Sequence, residues 1–225
     1  MLSQEWINTI IYGAGFLLLF GAAEILFHVF KVKGEITRKI VHAGTGLITM
    51  SFPIFLTKHW SVLILSSAFL ILLASSKRLN ILNSINDIDR FSLGSELYPI
   101  IIYINFLIYL YFDDVLFFYL PILILAICDP IAALCGKRWP IRPFRVRDTT
   151  KTVMGSACFF LSCVILSFSF VVPLRTHWVE IVSVTIFISL MATLSEALSQ
   201  KGWDNLFIPL VVIVSLLLSE YMFHF

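Results

Sequence analysis

Apolar residues run in long, nearly unbroken blocks along this chain, and the polar residues collect between them. Eight windows stand out: Trp6 to Phe30, Ile40 to Thr57, His59 to Ser76, Leu97 to Phe112, Val115 to Gly136, Thr152 to Leu174, Ile181 to Ser195 and Leu206 to Tyr221. Each is too long for a buried strand and lacks the period-two alternation of a barrel strand, so each predicts a membrane-spanning helix. Spans of about 20 residues would use about 160 positions, and the chain has 225. The remainder suffices for tails and connections, and no independent soluble domain fits. The expected fold is all-α: a polytopic membrane helical bundle of about eight transmembrane helices, forming one integral-membrane domain over residues 1–225.

Composition narrows the picture. The chain is 59% hydrophobic and 13% charged, with a mean hydropathy of +0.94, whereas a soluble domain is about one quarter charged. A water-soluble enzyme on a single anchor is excluded. The net charge of +2 is too small to suggest a nucleic-acid partner. Cys128, Cys135, Cys158 and Cys163 lie inside apolar windows without metal-type spacing, so neither zinc nor a disulfide is expected. Gln4 and Glu5 precede the first window where a basic leader would stand, and Lys31-Val32-Lys33 replaces a cleavage site, so this window reads as a retained helix.

Numbered between the windows, the odd connections hold fourteen of the sixteen Lys and Arg residues. Only Lys58 and Arg175 fall in the even ones, with the acidic pair Asp113-Asp114. Basic connections stay cytoplasmic during insertion, so both termini are expected outside and the working face inside.

Ionisable groups within spans cost about 2.5 to 3.5 kcal/mol at mid-helix, so each needs a partner or a task. Glu24, His42, Glu96, Asp129 and Glu196 are such groups, Glu24 being the deepest. Asp129, Ala132, Ala133 and Gly136 recur at helical spacing, placing a carboxylate and three small residues on one face. That face suits the floor of a ligand pocket, or alternatively close helix packing with Asp129 as an N-cap before Pro130. The connection Lys137 to Lys151 packs six basic residues into fifteen positions, including Lys137, Arg142, Arg145, Arg147 and Lys151. It leads into Thr152, Gly155 and Ser156 at a helix start. Cations and free backbone N–H groups together suit a polyphosphate, and an anionic-lipid patch is the plainer alternative.

Two polar stripes follow helical spacing: Arg38, His42, Thr45 and Thr49, and Ser189, Thr193, Glu196 and Gln200. His42 suits either a hydrogen bond between helices or a substrate-facing base. Asp129, Glu196 and Asp204 form three carboxylates on one membrane face, enough to hold Mg²⁺ jointly with phosphates.

Five segments in order, Arg38-Lys-Ile-Val-His42-Ala-Gly44, Gly94-Ser-Glu96-Leu-Tyr-Pro99, Cys128-Asp129-Pro-Ile-Ala132-Ala133-Leu-Cys-Gly136-Lys137, Lys151-Thr-Val-Met-Gly155-Ser156 and Glu196 through Asp204-Asn205 to Pro209, resemble the polyprenol kinase family. That family includes dolichol, phytol and farnesol kinases and CTP-dependent diacylglycerol kinases, and is distantly related to phosphatidate cytidylyltransferases. The resemblance covers residues 34 to 221, and departs from many members at Trp139-Pro140 and Met154. It implies phosphoryl transfer from CTP, with Mg²⁺, to an isoprenoid alcohol or diacylglycerol. It also implies that the Asp129–Gly136 and Lys151–Ser156 segments bind the nucleotide, with Glu196, Asp204 and Asn205 as their acidic complement. In that scheme Asp129 and Glu196 or Asp204 hold the metal, Lys151 and the arginines cradle the triphosphate, the Gly155 and Ser156 amides touch phosphate oxygens, and a carboxylate or His42 takes the hydroxyl proton. The rival activities are cytidylyl transfer to phosphatidate and, in another class, a transporter or lipid scaffold.

Overall fold

The computed structural model describes residues 3–79, 81–86, 92–147, 149–174 and 177–223; Arg90 and Arg175, which entered the charge reading, lie outside the described residues. The chain divides into two compact units, Met1–Asp113 and Asp114–Phe225.

The first unit comprises α1 (Gln4–His28), α2 (Gly34–Thr49), the one-turn α3 (Phe52–Phe55), α4 (His59–Leu79), the one-turn α5 (Asn83–Asn86) and α6 (Gly94–Phe112). Of these, α1, α4 and α6 are long and apolar enough to cross a bilayer. The second sequence window, Ile40 to Thr57, does not become one such helix. Helix α2 has 16 residues, about 24 Å of rise against about 30 Å of hydrocarbon. The apolar run continues through Met50-Ser51-Phe52, but Pro53 at the start of α3 begins a new turn, so hydropathy overran a backbone break. Among the described residues seven helices, rather than eight windows, meet the length and hydropathy needed to span.

Phe20 and Ala23 of α1, Val41 of α2, Leu73 of α4 and Ile85 of α5 form a buried core, with Phe69 packed against it. Polar side chains tie the helix ends. Glu5 accepts the N–H groups of Thr57 and Lys58 at 3.2 and 3.1 Å and the hydroxyls of Thr57 and Ser61 at 3.0 and 2.7 Å, capping the start of α4. Glu24 accepts the Ser84 N–H at 2.9 Å, at the start of α5, and pairs with His28 at 3.0 Å. The deepest ionisable group of the sequence reading therefore has structural partners.

The second unit opens with α7 (Leu116–Leu123), a π-helical turn (Ile124–Cys128) and α8 (Asp129–Arg138), which run on as one span. It is the most enclosed span described, 67% buried. Pro130 explains the wide turn. Proline has no N–H and its ring collides with the carbonyl four residues back, so one inserted residue relieves the clash without breaking the helix. There follow a hairpin of β1 (Pro143–Val146) and β2 (Thr149–Thr152), then α9 (Val153–Val171) with a 3₁₀ turn (Val172–Leu174), α10 (Trp178–Leu198) and α11 (Asp204–Phe223). Helix α9 packs on α8 and on α10, and α10 also packs on α11. Leucines and isoleucines such as Leu161, Ile165 and Leu190 remain exposed on their outer faces, as lipid contact requires. The bundle is thus all-α and polytopic, apart from the hairpin that interrupts the basic connection.

Candidate active site

Asp129 is not an N-cap. It follows the π turn inside a continuous span, half-buried, with Cys128 already helical before it. Seven residues on, α8 crosses α9 where neither helix tolerates a side chain. A Cβ on Gly136 would stand 2.7 Å from Thr152 Oγ1 and 3.5 Å from Gly155 Cα. One on Gly155 would meet the Ala132 carbonyl oxygen at 3.0 Å. Ala132 is buried and Ala133 half-buried on the same helix. The small residues accordingly serve a close helix contact, the packing alternative of the sequence reading.

Thr152 organises this crossing. It is the N-cap of α9, its Oγ1 accepting the Gly155 N–H at 3.0 Å. The Val153 N–H goes to the Arg142 carbonyl at 3.2 Å. The Gly155 amide assigned to a phosphate in the sequence thus has a protein acceptor, and Ser156 enters the helix with its hydroxyl buried and without a partner among the described residues.

Lys151 lies next to this cap on β2, paired across the hairpin with Phe144. Its ammonium donates to the Glu196 backbone carbonyl at 2.9 Å and to Glu196 Oε1. The side chains are 19% and 6% exposed, so this is a buried ion pair joining the hairpin to the end of α10. Burial, the largest influence, works against the ammonium; the charges of Glu196 and Asp204, the Glu196 hydrogen bond and the charge of Asp129 outweigh it, holding Lys151 above the ordinary lysine range. Asp204 begins α11 after a turn through Lys201 and Gly202, both at positive φ (54° and 89°), and its Oδ1 accepts the Asn205 N–H at 3.1 Å. Asn205 is buried. In the second unit the Lys151 ammonium thus contacts Glu196 and feels the charges of Asp204 and Asp129.

The hairpin sorts the remaining cations. Side chains alternate across a strand, so Lys151 and Phe144 share one face while Arg145 and Thr150 share the other, exposed one. Arg145 Nε donates to the Arg147 carbonyl at 2.9 Å. Arg142 and Arg147 both adopt positive φ (47° each), at the foot and tip of the hairpin, and both are exposed, as is Lys137.

His42 belongs to the first unit. It is half-buried, its ring centroid 4.4 Å from that of Tyr98, whose hydroxyl donates to the His42 carbonyl at 3.2 Å. Nearby chemistry passed over in the sequence is a second ion pair, Lys77 to Glu96 at 2.5 Å, with Lys77 also on the Ser92 carbonyl at 2.6 Å and Arg38 on the Ser92 hydroxyl at 3.3 Å. Both charges were visible at span ends; their pairing, across a connection, was not. Gln200 Oε1, from the polar stripe of Glu196, and Ser195 Oγ, which the sequence reading passed over, are buried without partners among the described residues.

Glu196 Oε2 is likewise buried and unpartnered. Glu196 pairs with Lys151 through one oxygen and leaves the other without a partner among the described residues, while the charges of Asp204 and Asp129 act on the same ammonium. Among the described residues no three of His, Cys, Asp and Glu come together as a metal cage. Mg²⁺ is commonly held by one or two carboxylates, with phosphate oxygens and water completing its shell.

Over 193 residues the chain is 30% identical to a phytol kinase of Synechocystis sp., an overlap of 84% of this chain and 81% of that protein. No family model matches the chain, and no solved structure matches it.

Proposed function

The chain belongs to the polyprenol kinase family, a family of lipid-alcohol kinases, and we propose that it transfers the γ-phosphoryl group of CTP to an isoprenoid alcohol. The observation that carries the site is the orphaned, buried Glu196 Oε2 beside the Lys151 ion pair, with Asp129 and Asp204 acting on the same ammonium.

Phosphoryl transfer is mostly positioning and charge neutralisation. Asp129 and Glu196 or Asp204 would hold Mg²⁺, which when bound offsets the charge of the phosphates. Lys151 has three N–H donors, and its two contacts with Glu196 leave one to reach a phosphate oxygen. The exposed Arg142, Arg145 and Arg147 of the hairpin and Lys137 in the last turn of α8 attract the nucleotide and hold its outer phosphates, with Thr152, Ser156 and Asn205 as neutral partners. Thr152 and the glycines keep α8 and α9 in contact, so that Asp129 stays beside the ammonium. The alcohol enters from the bilayer with its tail among apolar side chains, and a carboxylate of this cluster takes its proton. The six basic residues in the fifteen positions from Lys137 to Lys151 support a cytoplasmic position for this face.

The experiment is label placement. The purified chain in lipid nanodiscs is given phytol or a short polyprenol with CTP labelled at either the γ- or the α-phosphate, with and without Mg²⁺. Lipid labelled from the γ-phosphate alone, and only with Mg²⁺, is the expected result. Label from the α-phosphate would identify cytidylyl transfer instead, and no labelled lipid from any nucleotide triphosphate would end the kinase reading for this chain.

A further inference from the structure

Between the last turn of α8 and the hairpin the chain presents consecutive exposed residues, Lys137-Arg138-Trp139-Pro140-Ile141-Arg142. Trp139 is 51% exposed and Ile141 55%. Two large apolar side chains with cations before and after them suit a layer that is apolar and charged at once, and a membrane–water interface is such a layer. The span that ends at Arg138 has 23 residues, about 34 Å of helix against about 30 Å of hydrocarbon and 40 to 45 Å of whole bilayer. Its last turn and the residues just beyond it therefore fall at the level of the lipid headgroups.

The backbone is arranged for that layer. The Trp139 N–H donates to the Cys135 carbonyl at 2.8 Å, closing α8. Pro140 has no N–H, and the Ile141 N–H donates to the Trp139 carbonyl at 2.8 Å, a three-residue turn centred on the proline, whose fixed φ suits it. Every N–H of residues 139–141 is thus satisfied within the chain, as a segment partly withdrawn from water requires. Charge is one-sided as well: between Asp129 and Asp148 the sequence has no acidic residue.

We propose that Arg138-Trp139-Pro140-Ile141 is a binding site for anionic phospholipid. Arg138 pairs with the lipid phosphate, which a guanidinium can meet with two parallel hydrogen bonds, and Trp139 and Ile141 seat beside the glycerol and upper acyl groups of the same leaflet. The foot of the basic connection then belongs to the membrane, and its tip, with Arg145 and Arg147, to the water. The site stands apart from the phosphoryl-transfer reading, which gives no role to Arg138, Trp139 or Ile141.

The test uses the full chain in nanodiscs of phosphatidylcholine and phosphatidylglycerol, about three to one, prepared with bromine on the upper acyl chain of one lipid or of the other. Bromine quenches tryptophan on contact. The Trp139 signal is the difference between the parent chain and Trp139→Phe, and is read directly when Trp6→Phe, Trp60→Phe, Trp178→Phe and Trp203→Phe are combined, so the measurement survives if one of these variants folds poorly. Mole for mole, brominated phosphatidylglycerol is expected to quench this signal about fivefold more than brominated phosphatidylcholine, the preference that one cation near a membrane surface confers. Arg138→Gln should lower that ratio several-fold while the remaining cations of the connection keep its orientation. A Trp139 signal untouched by either lipid, equal quenching by the two, or a ratio unchanged in Arg138→Gln would each overturn the proposal. The readout needs no nucleotide, so its failure and the failure of the kinase reading are separate results.

Discussion

Replacing Lys151 by methionine keeps the length of the side chain and deletes its charge. Two charge-assisted hydrogen bonds go with it, to the Glu196 carbonyl and to Oε1, each contributing about 1.5 to 3 kcal/mol. What remains is worse than a missing contact: a carboxylate 6% exposed whose paired cation is gone. Breaking a buried pair from one side costs about 3 to 5 kcal/mol, whereas removing both charges is often neutral or stabilising. Lys151→Met is therefore expected to lower stability by about 3 to 5 kcal/mol, and Lys151→Met with Glu196→Leu to recover most of it. Unfolding in mixed detergent micelles, followed by tryptophan fluorescence, measures both. Phosphorylation of the lipid alcohol, measured on the same samples, should stay absent in the recovered double variant, separating stability from catalysis. A cost below about 1 kcal/mol for the single change, the range of an exposed pair, or a double variant as damaged as the single one, would refute the buried-pair account.

Three further outcomes follow from the same geometry. Gly136→Ala should destabilise by about 1 to 3 kcal/mol, since its methyl would stand 2.7 Å from Thr152 Oγ1, whereas Gly21→Ala, with nothing within 4 Å, should be neutral or gain up to about 1 kcal/mol; thermal unfolding of the two variants side by side checks this. Because the Lys151 ammonium is held above the ordinary lysine range, its contribution is fully present below about pH 10.4 and is lost only as pH rises through the higher folded value; the stability difference between the parent chain and Lys151→Met should stay flat from neutrality to that point and shrink above it. Asp129→Asn should fold normally and lose at least about a hundredfold in turnover, or about 2.7 kcal/mol; near-native γ-phosphoryl transfer by the folded variant would remove Asp129 from the metal site.

The spanning helices were legible because long apolar runs admit few alternatives in a bilayer, and their ends moved by only a few residues. The window from Ile40 to Thr57 did not become one long helix because hydropathy does not register the break that precedes Pro53. The hairpin was hidden for a different reason: Pro143, Arg145, Arg147 and Lys151 carry charge or ring constraints that outweigh any alternation over strands of four residues. At the candidate site, the residue types were readable but their partners were not. Lys151 and Glu196 are 45 positions apart, and only the packing of hairpin against helix shows that the lysine meets a carboxylate. Gly136 and Gly155 illustrate the converse, two glycines that a nucleotide site and a tight helix contact would place at the same positions.

The π turn at Ile124–Cys128 has a consequence for how this chain can change length over generations. One residue there is surplus to the winding of an α-helix, so losing any one of the five leaves the span of 23 residues at about 33 Å, still thick enough for the hydrocarbon. Because the wide turn takes up the extra residue within one revolution, its deletion closes the turn to α-helical winding and leaves α7 and Asp129 in nearly the same phase. A single-residue gap between two homologues in this turn would therefore signal a π turn gained or lost rather than a rotated α7.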